Sequence, residues 1–277
     1  MRRSTATGRW VHARGALDLA SPQVMAIVNL TPDSFFDGGH LVPEAGVMAN
    51  LTMAIRRCAR LIEDGASILD LGGESTRPGA AAVPPELEAR RVVPVIARLV
   101  EVGVGAPISV DTRRASVARA AVAAGAAIIN DVSGLADPEM AAVAAESGAG
   151  FVIGHMRGEP ATMQEAIAFR DLIGEIGDEL AAGVERAVAA GVARERIVVD
   201  PCVGFGKTEE QSAARGWRRA GPTDRGAGAD RGEPQVVPRV DHRAACRRAT
   251  GRERGRVAGR DRAGGQRGAG ARRCGDG

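Results

Sequence analysis

Six polar residues each close a short apolar run: Asn29 after "VMAIV", Glu74 after "SILDLGG", Asp111 after "PISV", Asn130 after "AAII", His155 after "GFVIG" and Asp200 after "RIVV". Singly, each has an ordinary explanation. A strand-end Asp commonly caps a helix or loop, and a lone His commonly packs with its ring nitrogens satisfied. As a set they describe chemistry. An ionised carboxylate accepts two parallel N–H bonds, and an amide both donates and accepts. Asp111, Asn130 and Asp200 gathered at one mouth would suit a flat heterocycle rich in N–H and carbonyl groups.

Two glycine-containing loops add a second chemistry. "ESTRPG" (74–79) places the Thr76 hydroxyl and the Arg77 guanidinium where either can meet an anion. "NLTPDSFFDGG" (29–39) is rooted in Asn29 and carries Asp33 and Asp37. Amide and carboxylate oxygens, with the remaining positions filled by water and phosphate, describe a Mg2+ site. Asn29 is its candidate protein ligand. The substrate implied has a polar aromatic base and a phosphate leaving group. "GFGK" (204–207) matches no phosphate-loop pattern, and Lys207 reads equally well as a solvated loop lysine. Met156 reads as core unless a ligand lies against it.

These residues need elements to hold them. The six runs (24–30, 67–73, 107–112, 126–133, 150–156 and 196–201) are short, and several are apolar continuously rather than alternately. That pattern predicts parallel strands covered on both faces. Helical spacing fills the gaps between them. In "PPELEARRVVPVIARLVEVG", Pro84 and Pro85 suit a helix start, Glu86 and Glu88 its positive end, and Gly103 its stop. Pro94 should kink that helix. Strand and helix alternate six times, which gives an α/β fold. A doubly wound sheet and a (β/α)8 barrel, the TIM-barrel class, both fit this order. The barrel is favoured because it brings every strand end to one ring, whereas an open sheet spreads most of them away from its switch point. Ahead of the first strand, "RWVHARGALDLA" suits a hairpin plugging the N-terminal end of the barrel.

The 277-residue chain changes character after about Thr208. Residues 209–277 hold 17 of the 37 basic and 9 of the 34 acidic side chains, a net of +8, leaving 20 basic and 25 acidic, a net of −5, in 1–208. The basic balance therefore belongs to the tail and does not mark the whole chain as a nucleic-acid binder. The expected division is a barrel domain over 1–208, of which about six βα units are recognisable, and an Arg/Gly-rich, irregular tail over 209–277. The tail offers only "PQVVPRV" as a weak strand and is too polar to offset its ordering entropy. Cys58, Cys202, Cys246 and Cys274 show no metal-ligand spacing and read as free thiols in a reducing cytoplasm. The N-terminus lacks the apolar run of a secretory signal, and no stretch is long and apolar enough for a membrane span.

"VNLTPDSFFDGG", "LDLGGESTRPGA", "ISVDT", "INDVSG", "GHMRG" and "DPCVGFGKT" resemble the dihydropteroate synthase family, in that family's order and spacing over roughly residues 10–208. The first two motifs are highly specific. The resemblance implies a (β/α)8 barrel, usually a homodimer. Such an enzyme joins 6-hydroxymethyl-7,8-dihydropterin diphosphate to 4-aminobenzoate, giving 7,8-dihydropteroate and diphosphate in folate biosynthesis. Carried over residue by residue, it implies that Asp111, Asn130 and Asp200 bind the pterin ring with Met156 against its face. Asn29 would sit by the diphosphate and its Mg2+, and Thr76 and Arg77 by the aminobenzoate and diphosphate. Asp111, Asp200 and Arg77 would carry the catalytic load. A related class of pterin-binding barrels transfers a methyl group from a reduced folate, but "TPDSF" and "ESTRPG" favour the synthase.

Three departures from the family pattern stand out. Cys202 replaces a usual glycine, and Phe36 a usual serine. After Thr208 there is neither the Ser-Arg-Lys signature, whose lysine contacts the pterin, nor the closing Arg-x-His, and Lys207 is the only lysine in the chain. Choosing GC-rich codons for 228–257 and reading one base out of phase permits "APIVVNRKSFLGSITAPPADERLDGSV", an apolar strand followed by Arg-Lys-Ser-Phe-Leu-Gly. The expectation is a single-base frame change shortly after Thr208, and a chain impaired by loss of its last two strands. A competing reading makes the tail a nucleic-acid-binding arm on an inactive barrel. Trp217 as its sole aromatic, and the absence of a regular Arg-Gly-Gly repeat, count against that.

Overall fold

The computed structural model describes residues 8–31, 44–75, 82–165, 167–214 and 235–236, with the backbone alone at 44–50 and 235–236. They belong to the first of two units, Met1–Val240; the second, Asp241–Gly277, lies outside the described residues. All six expected strands form inside their apolar runs: β3 (Met25–Asn29), β4 (Ile68–Gly72), β5 (Ile108–Asp111), β6 (Ile128–Asp131), β7 (Gly150–Gly154) and β8 (Ile197–Asp200). Each pairs in parallel with the next, and a two-residue β9 (Gln235–Val236) pairs in parallel with β8. The connections are α1 (Glu44–Glu63), α2 (Pro85–Glu101), α3 (Ala115–Ala123), α4 (Met140–Ser147) and α5 (Leu172–Ala189). A 3-10 turn at Arg194–Arg196 leads into β8, and α6 (Glu209–Ala213) follows it.

Strand order equals chain order, so the sheet has no point at which winding reverses. That is the order of a barrel and not of a doubly wound sheet. The core agrees. Outward strand residues Val28, Leu69, Leu71, Val110, Ile129, Phe151, Ile153 and Val199 share one buried cluster with residues of α1 to α5. Helices therefore cover one face of the sheet, and the alternate residues of each strand face the other way. Removing each fully buried Leu or Phe side chain would cost roughly 2–5 kcal/mol.

Local signals account for the helix ends. Pro84 is the N-cap of α2, Pro85 follows it, and Glu86 and Glu88 occupy the first turn. Gly103 takes φ +68°, which lets its N–H reach Val100 O at 3.1 Å while Val104 N–H reaches Leu99 O at 3.0 Å. Pro94 does not end α2, which continues to Glu101. Thr208 and Gln211 form a reciprocal capping box that starts α6. The described structure thus continues beyond Thr208 to residue 214, and the Thr-x-x-Gln spacing is the signal for it.

The N-terminal segment is the expected hairpin, β1 (Arg9–His12) against β2 (Gly15–Asp18). Trp10 is 1% exposed and packs with Ile68, Ile128, Val152 and Val198, inner-face residues from the N-terminal part of the sheet. Its Nε1–H donates to Arg196 O at 2.8 Å. The hairpin closes the end of the sheet opposite the strand tips.

Candidate active site

At the C-terminal edge the register sets Asn29 beside Gly72, Gly72 beside Asp111 and Asp111 beside Asn130, while Asp200 lies beside Gly154. A β-carbon placed on Gly72 would stand 3.6 Å from both Asn29 Oδ1 and Asp111 Oδ2, so these two side chains lean over the same glycine. One layer deeper is Asp70, fully buried, whose Oδ2 accepts from Asn130 Nδ2 at 3.0 Å. Asp200 is turned by its own loop: its Oδ1 accepts the Cys202 N–H at 2.8 Å.

Electrostatics tie these acids together. Burial pushes the Asp111 carboxyl well above the usual range, and the charges of Asp70, Glu88, Asp131 and Glu74 push it further. Burial likewise raises Asp70; the Ser109 hydroxyl and Asn130 amide pull it down, and Asp200 pushes it up. Asp70, Asp111 and Asp200 therefore form one acidic enclosure. Such a place favours a ligand that brings N–H donors or positive charge.

Glu74 has a different task from the one its position predicted. It is 7% exposed, and both of its oxygens accept from Arg114, at 2.9 and 3.0 Å. Arg113 Nε reaches Oε2 at 3.1 Å, and the Val83 N–H reaches Oε1 at 2.9 Å. Arg114 also pairs with the fully buried Glu88, and Arg91 donates to Gly73 O at 2.7 Å. Burial alone would raise the Glu74 carboxyl, but Arg114, the Val83 amide and Arg113 outweigh it and hold the group below its ordinary value. Glu74 thus pins residue 83 to the end of β4 and ties both to the segment after Asp111.

His155 and Lys207 are likewise internal. His155 is 4% and Lys207 3% exposed. Lys207 Nζ lies 3.1 Å from His155 Nδ1 and donates to the carbonyls of Phe205 (2.8 Å), His155 (3.2 Å) and Cys202 (3.2 Å). His155 Nε2 lies 2.9 Å from Glu179 Oε2. The solvated reading of Lys207 is therefore corrected: the ammonium is the knot of the loop that follows Asp200. A compact ammonium directs its three donors to carbonyls around a single point, whereas a guanidinium spreads its donors over a larger planar fork. Cys202, in that loop, takes φ +48°, the left-handed backbone that its usual glycine would adopt without strain.

Among the predicted site residues, the structure brings Asn29, Asp111, Asn130 and Asp200 to one edge and one face. Met156 is half-buried directly after His155. Thr76, Arg77, Phe36 and the rest of the "TPDSFFDGG" segment after Thr31 lie outside the described residues. Asp70 and Arg114 were not singled out from sequence, and Glu88 was read only as a first-turn acid of α2. A charge in the middle of "SILDLGG", at the same parity as Gly72, is the signal that finds Asp70.

For a metal, the described residues hold no cluster of three or more His, Cys, Asp or Glu suited to an ion. Asn29 Oδ1 and Asp111 Oδ2, both hard oxygen donors flanking Gly72, fit Mg2+ provided phosphate and water complete its shell. No described helix is long and apolar enough to cross a membrane. Cys58 and Cys202 are buried free thiols.

Residues 25–215 match the family described as pterin binding enzyme. The chain is 45% identical over 201 residues to the dihydropteroate synthase of Mycobacterium leprae, covering 72% of this chain and 67% of that one. It is similar to a solved Xanthomonas albilineans dihydropteroate synthase with 4-aminobenzoic acid: TM-score 0.65, 43% identity, 74% of this chain and 70% of that one. It is also similar to the X. albilineans enzyme in complex with 7,8-dihydropteroate: TM-score 0.62, 40% identity, 74% and 69%. The chain spans about two thirds of the length of the curated relatives it matches, and the family match stops at residue 215, close to where the sequence changes character. With a sheet wound in chain order, an acid-lined C-terminal edge and this degree of identity, the chain belongs to the pterin-binding enzyme family, among the dihydropteroate synthases.

Proposed function

We propose that this chain binds 6-hydroxymethyl-7,8-dihydropterin diphosphate and 4-aminobenzoate and joins them to 7,8-dihydropteroate with release of diphosphate. The observation that carries this reading is the enclosure formed by Asp70, Asp111 and Asp200 beside Asn130, an acceptor-rich place that matches the N–H edge of a pterin. The names of the two X. albilineans complexes, which hold an aminobenzoate and the condensed product, support it.

The chemistry is a substitution at the methylene carbon of the pterin. Its bond to the diphosphate oxygen breaks, and the electron pair leaves with diphosphate. The aniline nitrogen supplies the pair for the new C–N bond and then loses a proton. Positive charge develops on the pterin-methylene unit, and Asp111 and Asp200 stabilise it electrostatically from fixed positions. Asn130 holds the ring in register. Asn29 would hold Mg2+, which when bound neutralises charge on the diphosphate. Thr76 and Arg77 keep the roles that the resemblance gives them. The homodimer rests on the resemblance alone, and the cytoplasmic location on the reading of the cysteines as free thiols.

Residues after Thr208 carry neither the Ser-Arg-Lys nor the Arg-x-His signature, so turnover by this polypeptide is expected to be slow or nil while pterin binding persists. Titration with 6-hydroxymethylpterin, followed by its fluorescence, tests binding. Labelled 4-aminobenzoate tests turnover. No binding of the pterin overturns the reading; turnover equal to that of a relative with both signatures overturns the impairment. Sequencing the DNA around codons 205–215 tests the frame change.

A further inference from the structure

We infer that Asp70 is a positioning residue: it fixes which way the Asn130 side-chain amide faces, and so makes that point of the site an acceptor for a ligand N–H. This deepens the pterin reading and rests on it for the identity of the ligand.

The argument starts from what each group can do. Asn130 Nδ2 and Asp70 Oδ2 are 3.0 Å apart. A carboxylate oxygen accepts. While Asp70 is ionised, flipping the amide would bring Asn130 Oδ1 against it, two acceptors in contact with no proton between them. Asp70 is fully buried, so no solvent can relieve that clash. The amide is therefore locked with its nitrogen toward Asp70, and Oδ1 is left for the half-buried side where Asn130 meets the strand edge. Asp111, beside Asn130 in the register, and Asp200 add further acceptors. The result is a run of acceptors at one place, complementary to a heterocycle edge carrying adjacent N–H donors. A 2-amino-4-oxo ring has that edge; a 2,4-dioxo ring replaces the amino donor with an acceptor. Asp70, buried one layer below the strand edge, thus sets the choice between them. The neighbourhood also allows a conservative test. Asp70→Asn can still accept through its carbonyl, because its own Nδ2 can take the place of Oδ1, on the side of the Ser109 hydroxyl.

The test uses the full chain and two fluorescent probes, pterin and lumazine, against wild type, Asp70→Asn and Asp70→Leu. Wild type and Asp70→Asn should prefer pterin. Asp70→Leu, which frees the Asn130 amide to turn, should lower the pterin-to-lumazine ratio by about tenfold. An unchanged ratio in folded Asp70→Leu overturns the inference, since a purely structural role would weaken both probes alike. A ligand-free measurement stands beside it: the Asn130 Nδ2 protons should exchange slowly with water by NMR in wild type and Asp70→Asn. Fast exchange in wild type overturns the inference even if Asp70→Leu does not fold. If wild type binds neither probe but the Asn130 protons are protected, the pterin reading fails and the Asp70 lock stands.

Discussion

Lys207 Nζ and His155 Nδ1 face each other at 3.1 Å, and both side chains are almost completely buried. Burial first, then the Lys207 charge, push the His155 pKa down to about 4 against the opposing pull of Glu179. Burial brings Lys207 to about 8, although Cys202, Asp200 and Glu179 oppose it. At neutral pH the imidazole is thus neutral, accepting at Nδ1 from the ammonium and donating from Nε2 to Glu179.

The pH dependence of stability follows. Between the folded value of about 4 and the ordinary 6.5, the unfolded chain takes up a proton at His155 that the folded chain refuses. Stability from this group is complete above 6.5 and falls as pH drops towards 4, by on the order of 3 kcal/mol in all. Urea unfolding at pH 7 and pH 4.5 should show the loss, and His155→Gln should remove most of it. An imidazole NMR titration of the folded chain with a midpoint near 6.5 would sink this account. Lys207 has the same sign at the other end: its folded pKa is lowered from 10.5 to about 8, so its penalty is relieved as pH rises through that window.

Cys202 offers a test of backbone strain. At φ +48°, a side chain costs about 1 kcal/mol that glycine avoids. Cys202→Gly and Cys202→Ala both lose the sulfur, so that loss cancels between them. Cys202→Gly should be the more stable by about 1 kcal/mol, the reverse of their order inside a helix. Equal denaturation midpoints would contradict the strain.

Gly154 and Cys202 should couple. A β-carbon on Gly154 would lie 2.7 Å from Val132 Cα, 2.8 Å from Cys202 Sγ and 3.0 Å from Asp131 O. Gly154→Ala should cost about 2 kcal/mol. In the Cys202→Gly background one of the three obstacles is gone, so the cost should fall but not vanish. A double-mutant cycle showing strict additivity would count against this contact.

Glu74 is the buried partner of two arginines. Removing one member of such a pair costs about 3 kcal/mol or more, so Glu74→Ala should lower the urea midpoint strongly, and Glu74→Gln, which keeps the acceptor oxygen, less. Its folded pKa lies below the ordinary 4.5. The stabilisation is therefore present above 4.5 and lost as pH falls through the folded value. The gap between wild type and Glu74→Gln should close in acid; a gap constant down to pH 2.5 would be the wrong outcome.

Charge removal tests the mechanism. Asp111→Asn and Asp200→Asn preserve shape while removing the carboxylate. Whatever turnover the chain supports should fall by about a hundredfold in each, with smaller losses in pterin affinity measured by fluorescence. Equal losses in the two quantities would mean that the carboxylates bind the ground state only.

Much of this was legible in the chain itself because strand ends are conspicuous. Asn29, Asp111, Asn130 and Asp200 each break an apolar run, and chain-order winding forces such breaks to one edge. Asp70 was harder to find, since it sits inside its run and only the parity it shares with Gly72 betrays it. Glu74 and His155 looked like their neighbours but turn to internal partners, Arg114 in one case and Glu179 with Lys207 in the other. No spacing rule predicts a contact 40 residues away in the chain. Lys207 carried an unread hint: a chain that otherwise uses arginine for every basic residue keeps one lysine, at a place where a small ammonium fits among three carbonyls.

The bond from Trp10 to Arg196 joins residues 186 apart. In synthesis the indole precedes its acceptor, and it finds that partner only once the turn before β8 has been made. Until then the apolar base formed by Ile68, Ile128 and Val152 lacks that fastening, so a hairpin made ahead of every strand of the sheet is among the last pieces to lock, and any pause in synthesis before residue 196 leaves that surface open to chaperones or to other nascent chains.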